Sequence, residues 1–293
     1  MLRGNCRHLT QIPGRFTLLW LVLLLSLCAA VEASSAAPEF VELRETTLLS
    51  FRNYVAGVEK RNNDSLRNSR FLWIDELPER ARNEAYAKLK RGDVVLRRLT
   101  SNTGGKTNEI PGGMIHDWEG MVFIPGATLE QVLAVLQDYD HHSSYYAPDV
   151  ERAKIESRDN DHFRVFMRFR RRKVVTAVFN TEQDILYFQD SAVRAHSRST
   201  ATRIREVADP DTKNEREKAT NEDSGFLWQM ETWWRMEQRD GGVYVQNEAV
   251  TLTRDIPTGL GWLIEPFVTS IPKETLEFTL GATRKAVLAQ GKR

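Results

Sequence analysis

Cysteine is almost missing from this chain: there are two, Cys6 and Cys28, both within the first thirty residues. The remainder can build neither a disulfide framework nor a thiolate metal site, so its fold must rest on a packed core. An excess of charge of either sign is missing too. Lys and Arg together number 41 and Asp and Glu 40, a net charge of +1, and that balance argues against a nucleic-acid binder, which needs a clear basic excess. There is no Gly-x-Ser-x-Gly, no phosphate-cradling loop, no dinucleotide fingerprint and no internal repeat, so no arrangement for nucleophilic or nucleotide chemistry stands out. One long apolar run exists, Phe16 to Ala30, and at roughly fifteen residues it falls short of the about twenty that span a bilayer.

Arg3, Arg7 and Arg15 precede that run, and Val31-Glu-Ala33 offers a small-x-small cleavage site after it. Together they make the pattern of a secretory signal peptide over residues 1–33, with a secreted or periplasmic protein as the expected product. A retained membrane anchor is the alternative. A lipoprotein attached through Cys28 is a further one, although Leu27 stands where that processing signal wants Gly, Ala or Ser. The chain beyond the leader is long enough for one large domain or a domain with an extension.

From Glu39 to about Asn62, Phe40, Leu43, Thr47, Phe51, Tyr54, Val55 and Val58 recur at helical spacing with charges between them. A second helix is expected from Pro78 to Arg91, with Gly92 as its stop. Phe71-Leu-Trp-Ile74 between them is expected to pack against the main domain. After Gly92 the period changes. Strands are expected over 93–100 and 115–124, then a helix opened by Thr128 and Gln131 at capping-box spacing. Extended segments come next over 149–158, 162–172, 173–188, 191–207, 226–239 and 243–254, separated by turn signals such as Arg158-Asp-Asn-Asp161 and Asp240-Gly-Gly242. The charged stretch 208–224 reads as an exposed loop. A short helical piece carries Leu260, Leu263, Ile264 and Phe267 on one face, and a long helix from Pro272 to Ala289 closes the chain, with Leu276, Leu280, Thr283 and Val287 as its core stripe and Phe278 and Ala282 as a second apolar strip. This order gives an α+β plan, a curved antiparallel sheet around one helix.

Phe123-Ile-Pro-Gly-Ala-Thr-Leu-Glu-Gln-Val-Leu-Ala-Val-Leu-Gln-Asp-Tyr139 resembles the strand-to-helix junction of the START-like superfamily, the helix-grip group that includes polyketide cyclase and lipid-transport domains. Tyr145-Tyr-Ala-Pro-Asp-Val150 resembles its approach to the next strand, and Ile271-Pro-Lys-Glu-Thr-Leu-Glu-Phe-Thr-Leu280 its terminal helix. The resemblance spans Asp93 to Ala289. It implies a helix-grip domain over 93–293, with residues 34–92 as an N-terminal helical extension that the family pattern does not cover. It also implies a cavity between the long helix and the concave sheet, which most members use to bind apolar molecules and a minority for catalysis; fold alone does not choose between them.

Strand alternation places Phe226, Trp228, Met230, Thr232, Trp234 and Met236 on one face, expected to look inward with Phe163, Val165, Met167 and Phe169. The expected ligand-binding residues are Trp118, Tyr139, Tyr145, Tyr146, Phe163, Met167, Trp228, Met230, Trp234, Glu248, Trp262 and Phe278. Glu248 is the expected polar anchor, with Arg235, Arg168 or Arg170 as partner; a cross-strand ion pair on the outer face is the alternative. An anchor matters, because burying about 300 Å² of ligand returns roughly 7 kcal/mol while association costs at least about 4 kcal/mol. Asp138-Tyr-Asp-His-His142 pairs acids with adjacent histidines, but adjacent residues seldom turn to one ion, so these residues are expected to cap the helix and form a cavity rim with partly exposed Tyr139, Tyr145 and Tyr146. The basic run Arg168 to Lys173 reads as a solvated hairpin tip; any wider role for it points to an anionic membrane surface. Neither cofactor nor metal is expected. The leading function is binding or carriage of a lipid or other hydrophobic small molecule. The alternatives are a cyclase, dehydratase or hydrolase using Glu248, His141 or His142, and a protein-docking module formed by the N-terminal helices.

Overall fold

Gly92 marks the change of hydrophobic period in the backbone itself: its φ of 96° is open to glycine at little cost, and its N–H closes the preceding helix on Leu89 O at 2.9 Å. The computed structural model describes residues 43–67, 70–100, 108–172, 176–255 and 270–291. The expected leader over 1–33, the piece around Trp262 and the 173–175 tip lie outside the described residues. Before Gly92 come α1 (Glu45–Arg67), a 3-10 turn (Trp73–Glu76) and α2 (Glu79–Arg91). After it come β1 (Val95–Leu99), β2 (Asn108–Ile110), β3 (Gly113–Pro125), α3 (Leu129–Gln137), a 3-10 turn (Tyr139–His141) and the single-turn α4 (His142–Tyr145). The chain continues as β4 (Val150–Asp159), β5 (His162–Arg172), β6 (Thr176–Ser191), β7 (Arg194–Ala208), β8 (Arg216–Glu217), β9 (Gln229–Arg239), β10 (Gly242–Thr253) and α5 (Ile271–Gln290).

The strands form an antiparallel sheet in the order β1-β3-β10-β9-β7-β6-β5-β4, with β2 on β3 and β8 on β7. Local chemistry fixes the joints. Asp240 and Gly241 both take positive φ, 55° and 75°, so the β9–β10 hairpin turns through the two residues that best tolerate it. Thr128 and Gln131 form the capping box that the sequence spacing predicts, and α3 starts there. Register shifts in the β4–β5 and β6–β7 ladders bend the sheet.

One face of the sheet grips α5 and α3. Val122, Ile124, Val132, Phe163, Met236, Leu276, Leu280 and Val287 pack in that core. Gly120 lets α5 approach β3: a Cβ there would stand 2.5 Å from Leu96 and 2.7 Å from Leu280. The opposite face is covered as well. Phe51, Val55 and Val58 of α1 meet Ile115, Trp228, Trp233 and Leu252, while Phe71, Leu72, Ile74 and Leu89 meet Met121, Phe123 and Tyr244. No helix among the described residues is long and apolar enough to cross a membrane.

Two sequence expectations change here. Arg168 and Arg170 are not solvated; each is buried against Glu151, and Asp211 and Glu215 of the 208–224 stretch reach over to complete their pairing. That stretch is therefore an anchored flap, held further by β8 and by Glu206, which accepts from Lys218 and Ser224.

Candidate functional site

An internal hollow of about 220 Å³ lies between the first half of α5 and the concave side of the sheet. Alternation along each strand supplies its walls: Met167, Phe169 and Arg171 from β5, Gln183, Ile185 and Tyr187 from β6, Met230, Thr232 and Trp234 from β9, Asn247, Ala249 and Thr251 from β10. Ile271, Pro272, Thr275, Leu276 and Thr279 of α5 close it from above. The lining is mainly apolar, and its polar groups are largely engaged with one another. Ser199 donates to Gln183 at 2.8 Å, Asn247 donates to Trp233 O at 3.3 Å, and the Tyr139 and Tyr187 hydroxyls meet at 2.7 Å.

Arg171 is the one Lys, Arg, Asp or Glu side chain on this wall among the described residues. Its guanidinium lies 2.5 Å from Asp149 and donates through Nε to Thr275 at 3.0 Å, tying β5 to the start of α5. Burial pulls its pKa down, an effect that Asp149 opposes. His142 lines the hollow beside Tyr139 and Tyr146; burial lowers its pKa to about 4, so the ring is neutral at ordinary pH, with Nε2 3.3 Å from Val135 O. Burial likewise raises the Tyr139 and Tyr187 hydroxyls, and that of Tyr146 to about 12.

Of the residues expected from sequence, the structure brings Tyr139, Tyr146, Met167, Met230 and Trp234 to the hollow. Tyr139 and Tyr146 are buried rather than partly exposed, because their hydroxyls find partners inside, on Tyr187 and Thr283. Phe163 stands one layer behind, packed on Tyr139 and Tyr187 with ring centroids 5.5 and 5.6 Å away. Tyr145 is half-buried and braces Asp138 and Gln290. Trp118 and Phe278 are half-buried and outside the lining. Trp262 lies outside the described residues.

Trp228 and Glu248 are corrections. Trp228 precedes the first ladder residue of β9, so strand alternation does not reach it, and its ring packs on the far face with Phe51 and Trp233. Glu248 is also on the far face, bonded to Arg61 and Asn62 of α1 and not to Arg168 or Arg170; its neighbours Asn247 and Ala249 are the ones that face the hollow. In the Asp138 cluster, exposed His141 bonds Asp138 while His142 turns inward, so the two rings part; among the described residues no group of three or more potential ligands could hold a metal. Arg171 escaped the sequence reading because it is embedded in a basic run. Gln183 and Tyr187 had no outward mark beyond their place on an alternating strand.

The elements, in this order and pairing, make the helix-grip plan expected from the sequence, a curved antiparallel sheet closed over a long terminal helix. No family model matches the sequence, and no curated protein matches it. Solved structures similar to this chain include a STAR-related lipid transfer protein from Xanthomonas axonopodis, at 15% identity over 66% of this chain and 98% of the other, with a TM-score of 0.43. Human STARD10 is similar at 10% identity, over 74% and 82% of the two chains, with a TM-score of 0.42. The Zhui aromatase/cyclase from Streptomyces is similar at 12% identity, over 59% and 93%, with a TM-score of 0.39.

Proposed function

We propose that the protein binds or carries a lipid or other hydrophobic small molecule in this hollow, outside the cytoplasm, with Arg171 rather than Glu248 as the polar anchor. The observation that carries the reading is a mainly apolar hollow of about 220 Å³ between grip helix and sheet, bordered by one engaged cation. A guest burying about 300 Å² of apolar surface gains about 3 kcal/mol net of association, a millimolar affinity. A charge-assisted hydrogen bond to Arg171 adds about 1.5–3 kcal/mol and brings the affinity toward tens of micromolar. The size suits a single chain or ring system. Among the acid–base groups expected for a cavity enzyme, Glu248 and His141 stand elsewhere, which leaves His142 alone on the wall.

Native mass spectrometry of the purified protein, followed by solvent extraction, should release an apolar guest, and a fluorescent fatty acid should bind the emptied protein. Ala249→Trp, which fills the hollow from β10, should abolish that binding while the far-ultraviolet dichroism stays unchanged. A protein that is always empty and ignores the fatty acid, or a filled variant that binds as well as the parent, would refute the reading. The N-terminus of the exported protein, mapped by mass, checks the location: cleavage near Ala33 is expected.

A further inference from the structure

Beneath α1, on the side of the sheet away from the hollow, three acidic side chains are buried side by side. Asp117 and Glu119 of β3 and Glu248 of β10 are 0%, 3% and 1% exposed, and Glu119 is the direct cross-strand partner of Glu248. Like charges so placed repel. Their counter-charges come from other elements. Arg97 of β1 donates to Glu119 at 2.7 Å and Arg61 of α1 pairs with Glu248. Arg235 of β9 is nearby but bonds Asn62 of α1 and Phe71 O instead of a carboxylate. Among the described residues Asp117 is left with the Tyr54 hydroxyl at 2.9 Å, no cation nearer than Arg61 at 4.0 Å, and one buried oxygen that meets no donor.

We propose that α1 is a proton-sensitive strap, held to the sheet through the Asp117–Glu119–Glu248 cluster more tightly at mildly acidic pH and released progressively toward and above neutrality. Tyr54, Arg61 and Asn62 lie on one stripe of α1, so lifting the helix takes all three from the cluster together and lets water reach Asp117 and Glu248. Burial and the neighbouring Glu248 raise the Asp117 carboxyl well above its usual range, and burial raises Glu119 to about 7 despite Arg97. In the lifted state Asp117 returns toward an ordinary value of about 4, and Glu119, whose cross-strand neighbour Glu248 is then in water, moves in the same direction. The docked state therefore holds more protons: its advantage is full below the ordinary carboxylate range and fades as pH rises through about 7. The other charges facing this seam do not reverse the sign. Glu59 of α1 and Glu231 of β9 share Arg198, Glu237 of β9 pairs with Arg194 and Arg239, and Glu76 acts on Arg235.

The strap is tied to the hollow through shared strands, since β9 and β10 present Thr232, Trp234, Asn247 and Ala249 on their other face. The proposal does not depend on a guest being bound there.

Hydrogen–deuterium exchange of the full chain, corrected for intrinsic rates, tests it by comparing amides of residues 51–62 with those of α5 between pH 5.5 and 8. Relative to α5, α1 opening should rise about tenfold or more across this range, the limit being tenfold per pH unit for each proton released. Asp117→Asn and Glu119→Gln cannot titrate, so each should reduce the slope and the double variant should bring it under about twofold. Should Glu119→Gln not fold, Asp117→Asn alone reads the slope. Opening that is flat or falls with pH in the parent, or variants that retain the parent's slope, would overturn the proposal.

Discussion

Replacing Arg171 by methionine keeps much of the apolar stem while deleting the guanidinium that meets Asp149 and Thr275. The expected result is about a 10- to 100-fold loss of affinity for a fluorescent fatty acid, with little change for a probe that has no polar head, measured by parallel titrations. Two buried histidines set a separate acid limit. His116 and His142 are both lowered to about 4 by burial, so at these two sites the folded protein binds fewer protons than the unfolded chain, whose histidines titrate near about 6.5. Their contribution is full above about 6.5 and is lost as pH falls toward 4. Urea denaturation of the parent and of His142→Gln at pH 7 and 4.5 separates the histidine's share from the opposite contribution of Asp117 and Glu119: the parent's stability relative to the variant should be lower at pH 4.5 than at pH 7. At this scale the sequence was least informative. Glu248 and Asn247 are neighbours on one strand, and which of the two faces the hollow depends on the register of β10 against β3 and β9.

Elements were far easier to read. The α3 capping box, the Gly92 stop, the Asp240–Gly241 turn and the long terminal helix all follow from local chemistry, and each stands where the spacing predicts it. The faces of the strands were harder, for a physical reason. Where one face of a sheet meets water, apolar and polar residues alternate, but β3 and β10 are covered on both sides and are buried almost continuously. Periodicity then cannot say which side holds a cavity, and a buried Asp117 or Glu119 looks no different from a solvated one. Gly120 shows how narrow the fit between elements is. Gly120→Ala should destabilise the protein by about 1–3 kcal/mol by thermal or urea unfolding, because Leu96, Leu276 and Leu280 are packed against the space it would need.

For the molecule as a whole, the sheet has two working sides joined by the same strands. Its concave side holds the hollow and its other side holds α1 over a layer of buried charge. The helix-grip plan could be anticipated from the order of elements, whereas the ionic seam beneath α1 could not, since its partners are separated by as many as 187 positions in the chain. The grip helix itself is held unevenly. From Leu280 to Gln290, α5 sits on β3 and α3, with Thr283 meeting Tyr146, Arg284 donating to Phe123 O and Gln290 donating to Tyr145. From Ile271 to Thr279 one side of it faces the hollow, with Arg171 donating to Thr275, while Leu276 also reaches the core beside Gly120. Under the proposed function, a guest that displaced the Arg171 bond would loosen the half of the helix over the hollow while the half on β3 and α3 stayed fixed, so filling and emptying would leave undisturbed the core on which the fold depends.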